Sequence, residues 1–473
     1  MIFKRIILFG AGYYGRCAFH QLSNKFHIAY FVDNDDRIAG KYVEGVEVLS
    51  FEQFKEINIS DYTIIIVSKA YHAIGLQLGF VGVKNYYVML EGFLYHTDEN
   101  VTMMPVELNE ICFFKKTNDR KSILFVQNTP CIRTNKIAEM MKHKGFSVYL
   151  LYTLMSPEVL YPEYASIYDG LFSFSTMDAI LRFVNGSDFD IIHCSNEPDI
   201  LTVILQNSNK PIIHDCHDLS SDYLSMSIES LDLEFIANSY SDGVIYTTKL
   251  FRDKVLKKYD VSKERTFVLE NYIADNMIPC ERLPKISEQD GCIHCVYEGS
   301  VSNDPSNLRY FNEVWKKMAE NGIIIHFYST STESICRELS DVHKNIIYEG
   351  KLPTRELIKE MTKYDIGLCI YNVTEDNRFI IDYASVNKLQ EYIAAGIPVA
   401  ASNVESLISV LTKLSAGRYV DFSKDILSQF NEIKGIKVEE MILKKKGLTM
   451  DSQAEGLIDF YNSVIQNYKV LRG

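Results

Sequence analysis

Short runs of β-branched and aromatic residues, each followed by a stretch at helical spacing, recur along this chain: "RIILFGAG", "YTIIIVS", "SILFVQN", "FSVYLLYT", "DIIHCS", "PIIHDCHD", "DGVIYTT", "IHCVYEGS", "GIIIHFYS" and "DIGLCIY". Strands that are apolar on both sides need helices on both faces of the sheet, which is the doubly wound, parallel α/β class. A chain of 473 residues is too long for one core, so two or three domains are expected. Polar, proline-interrupted stretches mark the breaks, near 95–120 ("YHTDENVTMMPVELNE" and "KKTNDRK") and near 275–290 ("DNMIPCERLPKISEQDG"). The expectation is three Rossmann-like parallel-sheet domains: 1–100, 120–275 and 290–445. A last helix over 450–473 docks back on the second of them.

Several function classes fall away on composition. No apolar run approaches the ~18 to 20 residues of a membrane span. The opening "MIFKRIILFGAG" breaks at glycines and reads as a strand rather than a signal peptide, which points to the cytosol. Ten scattered cysteines suit a reducing compartment. Cys292 and Cys295 have CxxC spacing, but on a strand residues three apart face opposite sides, so they would not share a metal. A net charge of −13 argues against nucleic acid as a partner. The basic stretch "LKKKG" at 443–447 reads as a solvated loop and leaves a peripheral membrane contact open.

In the first block, "ILFGAGYYGRCAFHQL" places Gly10, Gly12 and Gly15 between a strand and a helix, the GxGxxG arrangement that brings backbone amides to a pyrophosphate. Asp33, at the end of "HIAYFVD", stands where an acid would hold a ribose. A tight strand-to-helix turn needs small residues with or without a ligand, so two readings stand. One is a site for NAD or a nucleotide sugar; the other is a structural docking domain. "DND" at 33–35 is read as a ribose-binding or capping position, not a metal motif.

The stretch "ASVNKLQEYIAAGIPVAAS", residues 384–402, carries the most specific signal. Ser385 is placed to cap a helix whose Leu389, Tyr392 and Ile393 pack on a sheet, and Gly396 ends it. Ser385, Lys388 and Glu391 share the other face, with Asn387 beside them in the first turn. At the carboxyl edge of a parallel sheet, a lysine there meets phosphate oxygens and a carboxylate one turn deeper accepts two ribose hydroxyls. A nucleoside diphosphate supplies both groups. A surface ion pair worth a few tenths of a kcal/mol is the alternative.

The same stretch resembles the donor-binding signature of the retaining glycosyltransferases of family 4, which have the two-domain GT-B fold. The resemblance extends over residues 120–473 through "FDIIHCSNEPDILTVIL", "KPIIHDCHDLSSDY", "SDGVIYTTKLFRDKV", "CVYEGSVSNDPSNLRYF" and "IIYEGKLPTRELIKEMTKYDIGLCIYN", in that family's order. The first block resembles the small Rossmann-like domain at the front of bacterial polysaccharide-biosynthesis proteins and sugar acyltransferases, over "FGAGYYG", "FVDNDDRIAG", "GVEVLS" and "IIIVSKAYHAIGLQL". The family 4 resemblance implies a nucleotide-sugar donor in the third block and a glycan or lipid-linked glycan acceptor in the second. It implies that Lys388 binds the diphosphate and Glu391 the ribose, and that the backbone at Gly299 and Ser300 approaches the phosphates. The backbone around Gly350 and Leu352 would edge the base, and His217 in "DCHDL" is the acceptor-side histidine. His193 and His214, on strands, are expected to be core or edge histidines.

Three positions depart from the family pattern. Eight residues before Glu391 stands Tyr383, next to Asp382, where a second glutamate is usual. "QNTPCIRTNK" replaces a glycine-rich loop, which turns attention to Arg133 and Lys136 as acceptor-side cations. Ser300 stands where an arginine is expected. The implied activity is metal-independent, retaining transfer from a UDP-sugar, with no cofactor required. The rivals are an inactive binding or partner subunit and an NAD-dependent oxidoreductase or epimerase built on the first block, which lacks the Tyr-x-x-x-Lys pair of such enzymes.

Overall fold

The computed structural model describes residues 5–97, 102–196, 198–222, 227–375, 377–382 and 386–472. Its strands make three sheets. The first contains β1 (Arg5–Phe9), β2 (Ile28–Asp33), β3 (Tyr42–Val43), β4 (Val46–Ser50), β5 (Tyr62–Ile66), β6 (Tyr86–Leu90), β7 (Phe93–Thr97) and β8 (Met103–Pro105), in the order β3-β4-β2-β1-β5-β6-β7-β8. The second contains β9 (Ser122–Gln127), β10 (Ser147–Tyr152), β11 (Gly170–Phe172), β12 (Ile191–Ser195), β13 (Ile212–Cys216), β14 (Gly243–Tyr246) and β15 (Thr266–Val268), in the order β11-β10-β9-β12-β13-β14-β15. The third contains β16 (Ile293–Glu298), β17 (Ile323–Tyr328), β18 (Ile346–Gly350), β19 (Ile366–Cys369), β20 (Val399–Ala401) and β21 (Gly417–Tyr419), in the order β18-β17-β16-β19-β20-β21. The fold is α/β with three Rossmann-like domains. In each sheet the strand order reverses beside the first strand, β1, β9 or β16, and the carboxyl ends at such a reversal are where open α/β sheets bind ligands.

Successive residues of a strand point to opposite faces, and the first sheet shows why its strands must be apolar throughout. Ile6, Leu8, Phe31, Val48 and Ile65 enter one core, while Ile7, Phe9, Val32, Leu49 and Ile66 enter the other. This sheet departs from the all-parallel expectation at its edges. β6–β7–β8 is antiparallel, as is β3–β4. Two-residue turns, Glu44–Gly45 and Glu91–Gly92, make the β3–β4 and β6–β7 pairings, with φ values of 50° and 78°, and 49° and 86°. Positive φ at both central residues is the turn whose twist matches a hairpin.

Contact density divides the chain into two compact units. One holds the described residues up to His217, Ser227–Val244 and those from Tyr461 on; the other holds those of Asp218–Met226 and Ile245–Phe460. Within the first unit, the polar stretch read as a break near 95–120 is not a free linker. Glu107 accepts hydrogen bonds from the Ser175 and Thr176 amides, both 3.0 Å. Phe114 stacks on Phe189 at 4.8 Å between ring centres. Phe93 of β7 is buried in the same cluster as Leu124, Phe183 and Ile192 of the second sheet. The Glu91–Gly92 turn presses against Thr153, and Gln21 Nε2 donates to the Leu154 carbonyl at 2.7 Å. The first two blocks therefore share one packed body.

The last helix, Ala454–Arg472, buries Tyr461, whose hydroxyl lies 2.6 Å from His193 Nδ1. Cys295 is fully buried on β16, whereas Cys292 lies just before it, half-buried, and both are free thiols. Of the "LKKKG" lysines, Lys444 pairs with Asp275 at 3.1 Å and Lys445 with Glu439 at 2.6 Å. Among the described residues no helix is long and apolar enough to cross a membrane.

Candidate functional site

In the second unit the helix Asn387–Ala394 sits with Leu389, Tyr392 and Ile393 buried, as their spacing requires. Its N-cap position is Val386, without a side-chain cap; Ser385 and Tyr383 lie outside the described residues. Tyr392 anchors the helix at two points. Its hydroxyl accepts the Glu298 amide at 3.0 Å, and its ring covers Gly367, where a Cβ would approach ring carbon to 2.3 Å. These contacts bring the helix to the carboxyl end of β16.

Lys388 then reaches the turn after β16. Its Nζ donates to the Tyr297 hydroxyl at 3.1 Å, lies 4.2 Å from the Tyr297 ring centre and 5.3 Å from that of Tyr371. Tyr297 in turn donates to the Ser300 carbonyl at 2.8 Å, which ties the turn to the lysine. Gly299 has φ +120°, and a Cβ there would stand 3.0 Å from Lys388 Nζ, so both backbone and lysine require glycine. Burial works against the Lys388 ammonium, yet Tyr297, Tyr371 and the Glu298 carboxylate together raise it above the usual lysine range. It is a fixed positive charge. Glu391, one turn on, is 6% exposed, and its carboxylate has no hydrogen-bond partner among the described residues. Gly350 ends β18, two strands from β16, and its carbonyl accepts the Ser329 amide at 3.0 Å; Leu352 is exposed beyond it. The structure thus joins Gly299, Ser300 and Lys388 directly and sets Gly350 and Leu352 at the same sheet edge. Asn387 is half-buried and has partners of its own.

In the first unit a second polar cluster lies at the ends of β9, β12 and β13. Arg133, on the helix Ile132–His143, is 2% exposed and its guanidinium forks onto Asp215 at 2.9 and 2.8 Å. His217 Nε2 is 3.2 Å from Asp215 Oδ2, and the His217 amide donates to Asn196 Oδ1 at 2.9 Å. Burial opposes the Asp215 charge, but Arg133 and His217 hold its carboxyl well below the usual range. His217 is raised: burial lowers it and Asp215 more than offsets that. Cys131 precedes the helix; burial lifts its thiol while His217 and Thr134 bring it below the usual value. Lys136 is buried at 2% exposure and has partners. Arg133 and Lys136 are thus interior cations, and the Arg133 guanidinium is engaged by Asp215. His193 and His214 are fully buried, and burial pushes His214 down to about 3.

At the first sheet, Asp33 uses one carboxylate oxygen on the Ala11 amide at 2.8 Å and the other on the Asp35 amide at 2.9 Å. Gly15 packs on Gly10, where a Cβ would meet the Gly10 carbonyl at 2.1 Å, while Gly12 faces open space. Asp33 acts here as a tie between β2 and the glycine turn. Sequence reading found the lysine and the acid of the helix Asn387–Ala394 but missed Tyr297, Tyr371 and Asp215. A tyrosine inside an apolar strand has no pattern to distinguish it from core, and "HDCH" marked only its histidine.

Three family models match in chain order: C2185-like, N-terminal, over residues 2–89; Glycosyltransferase Family 4 over 134–276; and Glucosyltransferase 3-like, C-terminal domain, over 306–451. The middle stretch of the chain is thus similar to glycosyltransferase family 4 domains. The family 4 match spans Asp215 and His217, and the glucosyltransferase 3-like match spans Lys388 and Glu391. A glycosyltransferase from Rickettsia africae is similar in structure, with 12% identity and a TM-score of 0.50 over 74% of this chain and 100% of that one. HepE from Anabaena, solved with UDP and glucose, has 14% identity and a TM-score of 0.49 over 74% and 99%. AviGT4, involved in avilamycin A biosynthesis, has 11% identity and a TM-score of 0.49 over 73% and 98%. The likeness to the Rickettsia protein is one of fold. No curated protein sequence matches the chain.

Proposed function

We propose that this chain is a retaining glycosyltransferase that moves a sugar from a nucleotide-sugar donor, a UDP-sugar in the first instance, to a growing bacterial surface polysaccharide or glycolipid. The observation that carries the reading is Lys388, a fixed cation boxed by Tyr297 and Tyr371 and set against the Gly299 turn. Charge at that place suits a diphosphate, and Glu391 suits the ribose diol. The family 4 match supports the reaction class.

The mechanism follows from charge. As the bond from the anomeric carbon to the β-phosphate oxygen breaks, negative charge grows on that phosphate, and Lys388 stabilises it. The acceptor hydroxyl attacks from the same face, forming the new glycosidic bond, and the departing phosphate takes its proton. No metal is required in this scheme, and work takes place in the cytoplasm or at the inner membrane face. The first block serves as a docking domain, a reading supported by Asp33 being engaged by backbone amides on both oxygens.

Lys388→Ala is the test. It should weaken nucleoside-diphosphate binding by about 1.5 to 3 kcal/mol, the range for a charged hydrogen bond, and abolish transfer while the melting temperature stays close to wild type. Unchanged diphosphate affinity by calorimetry would refute the role. Tight NAD binding that is lost in Gly12→Val, with no donor binding, would favour an oxidoreductase.

A further inference from the structure

Resting on the transferase reading, we propose that Asp215 is a positioning residue for His217: it holds the proton on Nε2, presents Nδ1 to the substrate, and is itself steadied through His193 by Tyr461 of the last helix. Asp215 is fully buried and Arg133 nearly so, and the two-point fork between them keeps the carboxylate ionised. An ionised carboxylate only accepts, so the His217 nitrogen 3.2 Å from Oδ2 must carry a hydrogen. That nitrogen is Nε2. Nδ1 has no hydrogen-bond partner among the described residues, and the side chain keeps 17% of its surface exposed.

His193 approaches the same oxygen from β12. Its Nε2 is 3.2 Å from Asp215 Oδ2 and its Nδ1 is 2.6 Å from the Tyr461 hydroxyl. Burial holds His193 neutral and keeps the Tyr461 phenol protonated, so the phenol donates to Nδ1 and leaves the proton on Nε2, facing Asp215. The Asp215 oxygen therefore bonds His217 Nε2, with His193 Nε2 at ion-pair distance but outside hydrogen-bond geometry. The charged and titratable groups facing His217 are Asp215, Arg133, Cys131, His193 and His214. Burial and the cations disfavour its charge, Asp215 favours it, and the balance lies above the ordinary histidine value.

The sign follows. Below its raised midpoint Nδ1 carries a proton and donates to a sugar oxygen; as pH rises through that midpoint the donor is lost and only Nε2 stays protonated. Removing the Asp215 charge moves the loss to lower pH, by about 1 to 3 units for an opposite charge at this range.

Histidine-selective NMR on the full chain, without sugar nucleotide, tests this. Wild type should show His217 as the Nε2–H form with a raised midpoint, and Asp215→Asn should lower that midpoint. Because Asp215→Asn strands a buried arginine, Tyr461→Phe is the second variant. It should turn the single His193 tautomer into a mixture and move the His217 midpoint upward, since the N–H dipole that His193 holds beside Asp215 is no longer fixed. His217 found as the Nδ1–H form, or a His217 midpoint unmoved in a folded variant, overturns the proposal; if Asp215→Asn does not fold, Tyr461→Phe alone decides. In a transfer assay the alkaline fall of kcat/KM should shift down in Asp215→Asn. Intact histidine signatures with no transfer from any donor would refute the transferase reading and leave the positioning standing.

Discussion

Asp215 and Glu391 are both buried carboxylates, and their partners separate their roles. Asp215 has a guanidinium forked on it; Glu391 has no hydrogen-bond partner among the described residues. Breaking a buried pair leaves an uncompensated charge and costs about 3 to 5 kcal/mol, whereas neutralising an unpaired buried carboxylate does not. Glu391→Gln should therefore leave thermal stability unchanged or raise it. The same substitution should weaken UDP roughly tenfold, about 1.4 kcal/mol, because an amide accepts fewer hydrogen bonds than a carboxylate. Binding of 2′,3′-dideoxy-UDP should not change. Calorimetry on both ligands checks it: equal losses would mean that Glu391 does not read the ribose. Lys388 and Glu391 were legible because a charged pair on one face of a short apolar helix breaks its pattern. Tyr297 and Tyr371 were not, because strand tyrosines look like core until the sheet shows what lies over them.

Among elements, the two Glu-Gly hairpins explain most of what the first sheet has beyond a parallel core. "VEGVEV" and "LEGFLY" each put a glycine between two runs able to pair, a signal that strand–helix alternation alone passes over. Gly92 carries a further constraint. Its φ is +86°, and a Cβ would fall 1.8 Å from the Thr153 carbonyl oxygen. Gly92→Ala should therefore strain the turn and push β7 away from the second sheet, with a cost above the ~1 kcal/mol of an ordinary glycine-to-alanine mismatch. A lowered melting temperature together with new proteolytic cuts near 91–120 is the expected result. Gly12→Ala, with open space around its Cβ site, is the control and should melt like wild type.

At the scale of the molecule, sequence suggested that the first block could be cut away near Arg120. The residues proposed to hold the donor lie in the other unit, so a chain starting there should still bind a nucleoside diphosphate. It should nonetheless aggregate or melt early, because removing Phe93 and Glu107 uncovers the cluster around Phe183 and strips the Ser175–Thr176 turn of its acceptor. A truncated chain as soluble and stable as the whole would show that the seam contributes little. What sequence alone determined was local and periodic: the α/β class, three Rossmann-like blocks, the helix Asn387–Ala394 and the two charges it presents. Those follow from rules acting over a few residues, the twofold alternation of strands and the 3.6-residue turn of helices. What only the tertiary structure decided were contacts between positions far apart in the chain: Arg133 on Asp215, Tyr461 on His193, Phe93 in a neighbouring core, Tyr297 beneath Lys388. No local pattern encodes such pairs, since burial, partner and proton state arise only when separate segments close around the same space.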